Sequence, residues 1–286
     1  MFLATYKNTL KNIVRAPTFW LLLLLFVFEF VDEITSPTFG GMNYKLSEFI
    51  NDTDPRFVVD YNTYIKKIAN SANSLMRETM PFIIAVTTVL VLNRDYGDNF
   101  YEIEKAAGIK PRYYILGRLT ALATFHIVIG AIADLVLFHT YIVTRGGVPS
   151  LDLFTYLTDS TVRLLRIYIF TAIPTILFYI AFTYFLGALF RSGIPAAVVS
   201  IGYVLFNSEV YYKIRFRIDP RYGEYLKPYP DKLMAYFYHY DTKEFESTLK
   251  MLDTSLGKAA LCVCILVGLA VVYSAIAYIR TRTRDR

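Results

Sequence analysis

The sequence predicts an all-α, polytopic membrane fold: six transmembrane helices, an N-terminal amphipathic helix and one short helix on the cytosolic side. Three observations predict it. Hydrophobic residues fill 55% of the 286 positions and charged residues only 19%, with a mean hydropathy of +0.38, whereas a soluble domain carries about 25% charge. The apolar residues gather in blocks that approach the length of a membrane span, about 20 residues. Basic residues flank those blocks and form no stripe of the kind that holds nucleic acid, although the net charge is +6.

The amphipathic helix is expected over 1–16. Leu3, Tyr6, Leu10, Ile13 and Val14 recur at three- and four-residue steps, and Lys7, Lys11 and Arg15 recur every four. That pattern suits a helix lying in lipid headgroups; the plainer alternative is a cytoplasmic extension of the first span. The first span is expected over Pro17–Val31, around LLLLLFVF. Glu29, Asp32 and Glu33 follow where a small-x-small cleavage site would stand, so the block reads as a retained signal anchor. The remaining spans are expected over Met76–Leu92, Tyr113–Val143, Leu164–Phe190, Ile194–Tyr211 and Ala259–Tyr278. Pro174 should kink the fourth. Cys262 and Cys264 lie inside the last span; two positions apart on a helix they diverge, and they read as small core residues.

Basic density orients the bundle with both termini in the cytosol, as in a multi-pass protein of a bacterial plasma membrane. Lys7, Lys11 and Arg15 fall in 1–16, Arg94, Lys105, Lys110, Arg112 and Arg118 in 94–118, Arg191 at a short turn, and Arg280, Arg282, Arg284 and Arg286 in the tail 280–286. Those pieces are the cytosolic ones by the positive-inside rule. The two outer loops, 33–78 and 212–256, mix Lys and Arg with Asp and Glu, and loops this long are usually functional or internally structured. In the second, Asp231 is placed to cap a short helix over Lys232–Tyr240, whose aromatics would cover a pathway exit or simply hold the loop at the interface.

Catalytic signatures are missing. The sequence contains no GxxxxGK[ST], no HExxH and no pair of Asp-rich motifs, and His126, His139 and His239 are not at metal-ligand spacing. The chain is expected to hold no cofactor and to catalyse no reaction, so energy for uphill work would come from another subunit. Ionisable residues within the spans are default functional positions: Glu29, His126, Asp134, Arg163, Arg166 and Glu209 would line or gate a pathway, or else neutralise one another.

The most informative stretch is LNRDYGDNFYEIEKAAGIKPRYYILGRLTA, Leu92–Ala121. A short charged helix is expected over Tyr96–Ala107, stopped by Gly108 with Pro111 beyond it. Phe100, Ile103 and Ala107 would form its apolar stripe, and Asp98, Glu102, Glu104 and Lys105 its charged rim. Taken in order, Asp95, Gly97, the helix to Ala107, Gly108–Arg112 and Gly117–Arg118 resemble the coupling region of ABC type-2 permeases, with Asp95 standing where that family usually has Glu. The topology resembles that family too. The resemblance implies an exporter's membrane subunit, paired with a second copy or a related permease in the lipid bilayer. A separate cytosolic ABC ATPase would bind ATP and Mg²⁺ and receive the coupling region 94–112, with Asp95, Gly97, Asp98, Phe100, Glu102, Ile103 and Glu104 as coupling residues. An amphipathic or lipidic substrate would move by alternating access. The alternative is a non-transporting subunit of the same architecture, sensing or transmitting force, whose outer loops bind a peptide or an envelope partner.

Overall fold

Proline at position 17 sets the first boundary. A residue before proline is driven from the α region, and Ala16 is extended at φ −71°, ψ 119°. Helix α1 (Phe2–Arg15) therefore ends there, and α2 (Pro17–Thr35) begins with its proline in the first turn, where the missing N–H has no helical partner to lose. The computed structural model describes residues 1–35, 38–39, 42–43, 80–96, 100–132, 169, 172–205 and 256–283. A small antiparallel hairpin pairs β1 (Thr38–Phe39) with β2 (Met42–Asn43). The other described elements are helical: α3 covers 80–96, followed by α4 (Phe100–Ala106), α5 (Pro111–Ala131), α6 (Ile173–Phe190), α7 (Gly193–Leu205) and α8 (Leu256–Thr283). Among the described residues, three helices are long and apolar enough to cross a membrane: Pro111–Ala131, Ile173–Phe190 and, within α8, Val263–Thr281.

Helix α6 forms the centre. It is apolar on every side, and a helix of that kind belongs in the interior; Ile176, Phe178, Tyr179, Ile180, Tyr184 and Leu186 are all buried. Helices α5, α7 and α8 pack around it. Ring contacts fasten the packing. Tyr273 of α8 lies 5.2 Å from Phe185 and 5.6 Å from Phe182, which is itself 5.0 Å from Tyr203 of α7. Such pairs contribute about 0.5–1.5 kcal/mol each beyond their burial. Helix α3 approaches α6 at a glycine: a Cβ on Gly187 would lie 2.5 Å from a methyl of Leu92. The outer faces are apolar as well. Trp20, Leu21, Leu24 and Phe28 on α2, Ile194 and Val198 on α7, and Val271, Val272 and Ile279 on α8 are exposed.

Several boundaries differ from expectation. Helix α3 runs through Tyr96 where a stop near Leu92 was expected, so Asp95 and Tyr96 belong to the longer helix and the short one starts at Phe100. Helix α2 continues to Thr35, past Val31, and α8 continues to Thr283, taking in Arg280 and Arg282 from the expected tail. Pro174 sits in the first turn of α6, and the backbone before it, at 169 and 172, is π-helical, so helical backbone leads into the proline. Cys264 is a free, exposed thiol and not a core residue. The loop 212–256 lies outside the described residues up to 255, as do most of 33–78, the segments 133–168 and 206–211, and Arg284–Arg286.

Candidate functional site

The short helix α4 is held between α3 and α5 by backbone chemistry. Gly108 takes φ 80°, open to glycine and strained for other residues. This lets its N–H donate to the Lys105 carbonyl at 2.9 Å and the Ile109 N–H donate to the Glu104 carbonyl at 3.1 Å, a glycine-closed helix end. Lys110 then extends (φ −68°, ψ 141°) and Pro111 opens α5. The connection is short and conformationally fixed.

Helix α1 lies against the start of α5, and a glycine again sets the distance. A Cβ on Gly117 would stand 2.9 Å from Thr5 Cβ. The buried row of α1 is Thr5, Thr9 and Ile13, four residues apart and so on one face. Each threonine has a task. Thr9 Oγ1 donates to the Thr5 carbonyl at 2.7 Å and accepts from Arg118 Nη1 at 2.8 Å. Thr5 Oγ1 donates to Glu104 Oε2 at 3.2 Å.

Arg118 is the hub. Its Nη2 donates to Asp95 Oδ1 at 2.7 Å, and its guanidinium stacks over the Tyr114 and Phe100 rings at 4.9 and 5.4 Å. Tyr114 in turn meets Tyr101 edge-on at 5.1 Å. One side chain thereby joins α1, α3, α4 and α5. Guanidinium suits this, because its planar fork donates several directed bonds and stacks on aromatic faces. Asp95, Glu104 and Arg118 are all buried; Asp95 pairs with Arg118 away from water, where attraction is strong and loss of a partner is costly, and Glu104 is held by Thr5.

A second joint connects α3 to α5. His126 Nδ1 donates to the Leu122 carbonyl at 2.8 Å, which fixes the proton on that nitrogen. Its Nε2 lies 2.7 Å from Thr87 Oγ1, which is also 2.8 Å from the Ile83 carbonyl. The imidazole is neutral when the threonine proton points at Nε2.

The expected coupling residues fall in different places. Asp95 is at the hub. Glu104, expected on an exposed rim, is buried, and Phe100 is turned toward Arg118 and half-buried. Ile103 is 59% exposed, and Lys105, Ala106 and Ala107 are exposed with it, while Glu102 is half-buried. The outward face of α4 therefore keeps Ile103 and Ala107 of the expected stripe, while Phe100 and Glu104 turn inward. Gly97 and Asp98 lie outside the described residues, as do Asp134, Arg163, Arg166 and Glu209. Glu29 is on α2. His126 has both ring nitrogens engaged, one with Leu122 on its own helix and the other with Thr87 on α3. Sequence reasoning passed over Arg118 as a membrane-flanking cation and passed over Thr5 and Thr9 altogether. The available signals were a lone arginine seven residues into an apolar helix and two threonines one turn apart, off the basic row. Among the described residues no group of three or more His, Cys, Asp or Glu side chains could hold a metal. No protein-family model matches the chain, and no curated protein matches it.

Proposed function

We propose that this chain is the membrane subunit of an ABC-type exporter, with six spans, both termini cytosolic and α4 as the element that docks a separate ATPase. One observation carries the reading most of the way: α4 is fastened directly to α1 and α5, and through Arg118 to α3, while leaving an apolar residue outward. A helix that transmits motion has to be stiffly connected to what it moves. Glu104 ties α4 to α1, and Arg118 links α1, α3 and α5 behind it. The ordered resemblance from Asp95 to Arg118 supports the same conclusion. Ile103 then serves as the apolar point of a small interface, bordered by Glu102 and Lys105, in keeping with the way a few central side chains dominate binding. A second permease chain completes the pathway, α1 lies in the headgroup layer, and an amphipathic or lipidic molecule is the cargo.

The full-length chain, purified from its own membranes, should bring with it a P-loop ATPase and ATP hydrolysis that the chain alone lacks. Ile103→Glu should weaken that association by roughly thirtyfold, the equivalent of a hot spot of about 2 kcal/mol, without lowering the melting temperature of the chain. Unchanged association and hydrolysis in Ile103→Glu would overturn the docking assignment.

A further inference from the structure

Helix α1 has a face that the bundle does not use. Its buried row, Thr5, Thr9 and Ile13, is committed to α5 and α4. At 100° per residue, Lys7, Lys11 and Arg15 span about 80° and centre about 160° away from that row. All three are exposed, and none forms an ion pair or hydrogen bond with another described residue. No acidic residue occurs before Glu29, so no carboxylate of α1 itself offsets them. To one side of the basic row lie Leu3 and Val14, 56% and 41% exposed. The order around the helix is therefore packed threonines, apolar edge, unpartnered cations. An exposed apolar edge beside a cationic row matches the layering of a bilayer surface whose headgroups are negative.

We infer that α1 is a docking surface for anionic phospholipid headgroups, with Lys7, Lys11 and Arg15 as the contact residues and Leu3 and Val14 set into the acyl boundary. The partner is a lipid surface and not a free anion, because the cations are spread along a helix flank beside an apolar edge and are not gathered in a pocket. The inference rests on the proposed placement of α1 in the headgroup layer and is independent of the ATPase docking. Its consequence for the fold is direct: the same helix that meets lipid holds Glu104 and Arg118 from its other side, so the charge of the surrounding lipid bears on the hub.

The chain supplies its own reporter. Trp20 is the single tryptophan, it is 54% exposed, and its Nε1 donates to the Val14 carbonyl at 2.6 Å, at the end of the basic row. The full-length protein would be reconstituted in phosphatidylcholine vesicles containing 20% phosphatidylglycerol (roughly the anionic content needed for a negative surface). In one set the phosphatidylglycerol is brominated; in the other, an equal mole fraction of phosphatidylcholine is. Trp20 quenching by brominated phosphatidylglycerol should exceed quenching by brominated phosphatidylcholine. A near-surface cation is worth about fivefold in affinity for an anionic surface, and three together up to on the order of a hundredfold, enough to enrich phosphatidylglycerol around α1. The excess should fall in high salt, vanish in Lys7→Gln/Lys11→Gln/Arg15→Gln and survive in Lys7→Arg/Lys11→Arg/Arg15→Lys. These side chains are exposed, and the melting temperature checks that each variant is folded. Equal quenching by the two lipids in the wild-type protein would overturn the inference, as would an excess that persists in the glutamine variant or that millimolar inorganic phosphate abolishes at constant ionic strength.

Discussion

Arg118 and Asp95, 23 residues apart in the chain and on different helices, meet at 2.7 Å with each side chain only 2% accessible. Removing one member leaves the other charged group buried. Asp95→Leu or Arg118→Met should each cost about 3–5 kcal/mol, whereas the two combined should cost less than the sum of the single changes. Melting of the detergent-purified chain measures this, and strictly additive losses would show that the two side chains are not coupled.

Gly117 sets how near α1 can come to α5. Gly117→Ala places a methyl carbon 2.9 Å from Thr5 Cβ and 3.3 Å from the Phe2 carbonyl oxygen, and overpacking of this kind costs about 1–3 kcal/mol. The expected result is a lower melting temperature together with a shifted Trp20 emission, because Trp20 is bonded to the end of α1. An unchanged emission spectrum would mean that α1 is not held where Gly117 meets Thr5.

Phe100 and Ile103 should separate stability from docking. Phe100 borders the Arg118 guanidinium, so Phe100→Ala should destabilise the isolated chain. Ile103→Glu, on the exposed side of α4, should leave that stability intact and act only on the partner. Comparing melting temperatures of the two variants in the absence of any ATPase tests the assignment of faces; it fails if Ile103→Glu is the less stable of the two.

Thr87→Val keeps the shape of the side chain and removes the hydroxyl that meets His126 Nε2. A buried nitrogen then loses its partner, at a cost of about 1–3 kcal/mol. If the joint is structural, Thr87→Val and His126→Ala should lower stability without changing the pH dependence of transport. A displaced pH profile would instead assign His126 to proton chemistry.

The six-span topology can be read directly by placing a single cysteine at Ser150 or Thr242 in a background lacking Cys262 and Cys264. An impermeant thiol reagent should label each from the outer side. Labelling of either from the cytosolic side alone would refute six spans with both termini inside.

Apolar blocks and prolines made most helix positions legible in advance. Pro17, Gly108 and Pro111 act on the local backbone, and their effects were correspondingly visible. Faces were harder. In α1 the eye follows Leu3, Leu10 and Val14, yet the packed row is Thr5, Thr9 and Ile13. Threonine presents a methyl group and a hydroxyl, so it fits a close polar contact with Gly117 and Arg118 that no hydrophobic pattern announces. The α4 rim was misjudged for a related reason. Glu104 looked like a rim residue because its burial depends on Thr5, which is remote in sequence. Helix α3 outran its apolar block because Asp95 is neutralised across the bundle and need not end the helix.

The two threonine bonds have a consequence for how the chain is made. Thr5 must find Glu104 across 99 residues, and Thr9 must find Arg118 across 109. At synthesis rates of 5–20 residues per second, that interval is roughly 5–20 s. During it α1 is finished but Glu104 and Arg118 do not yet exist, and its threonine hydroxyls have only carbonyls of their own helix to bond. Helix α1 thus waits for the segment that carries Glu104 and Arg118, and that joint can close before the helices beyond Ile173 are made.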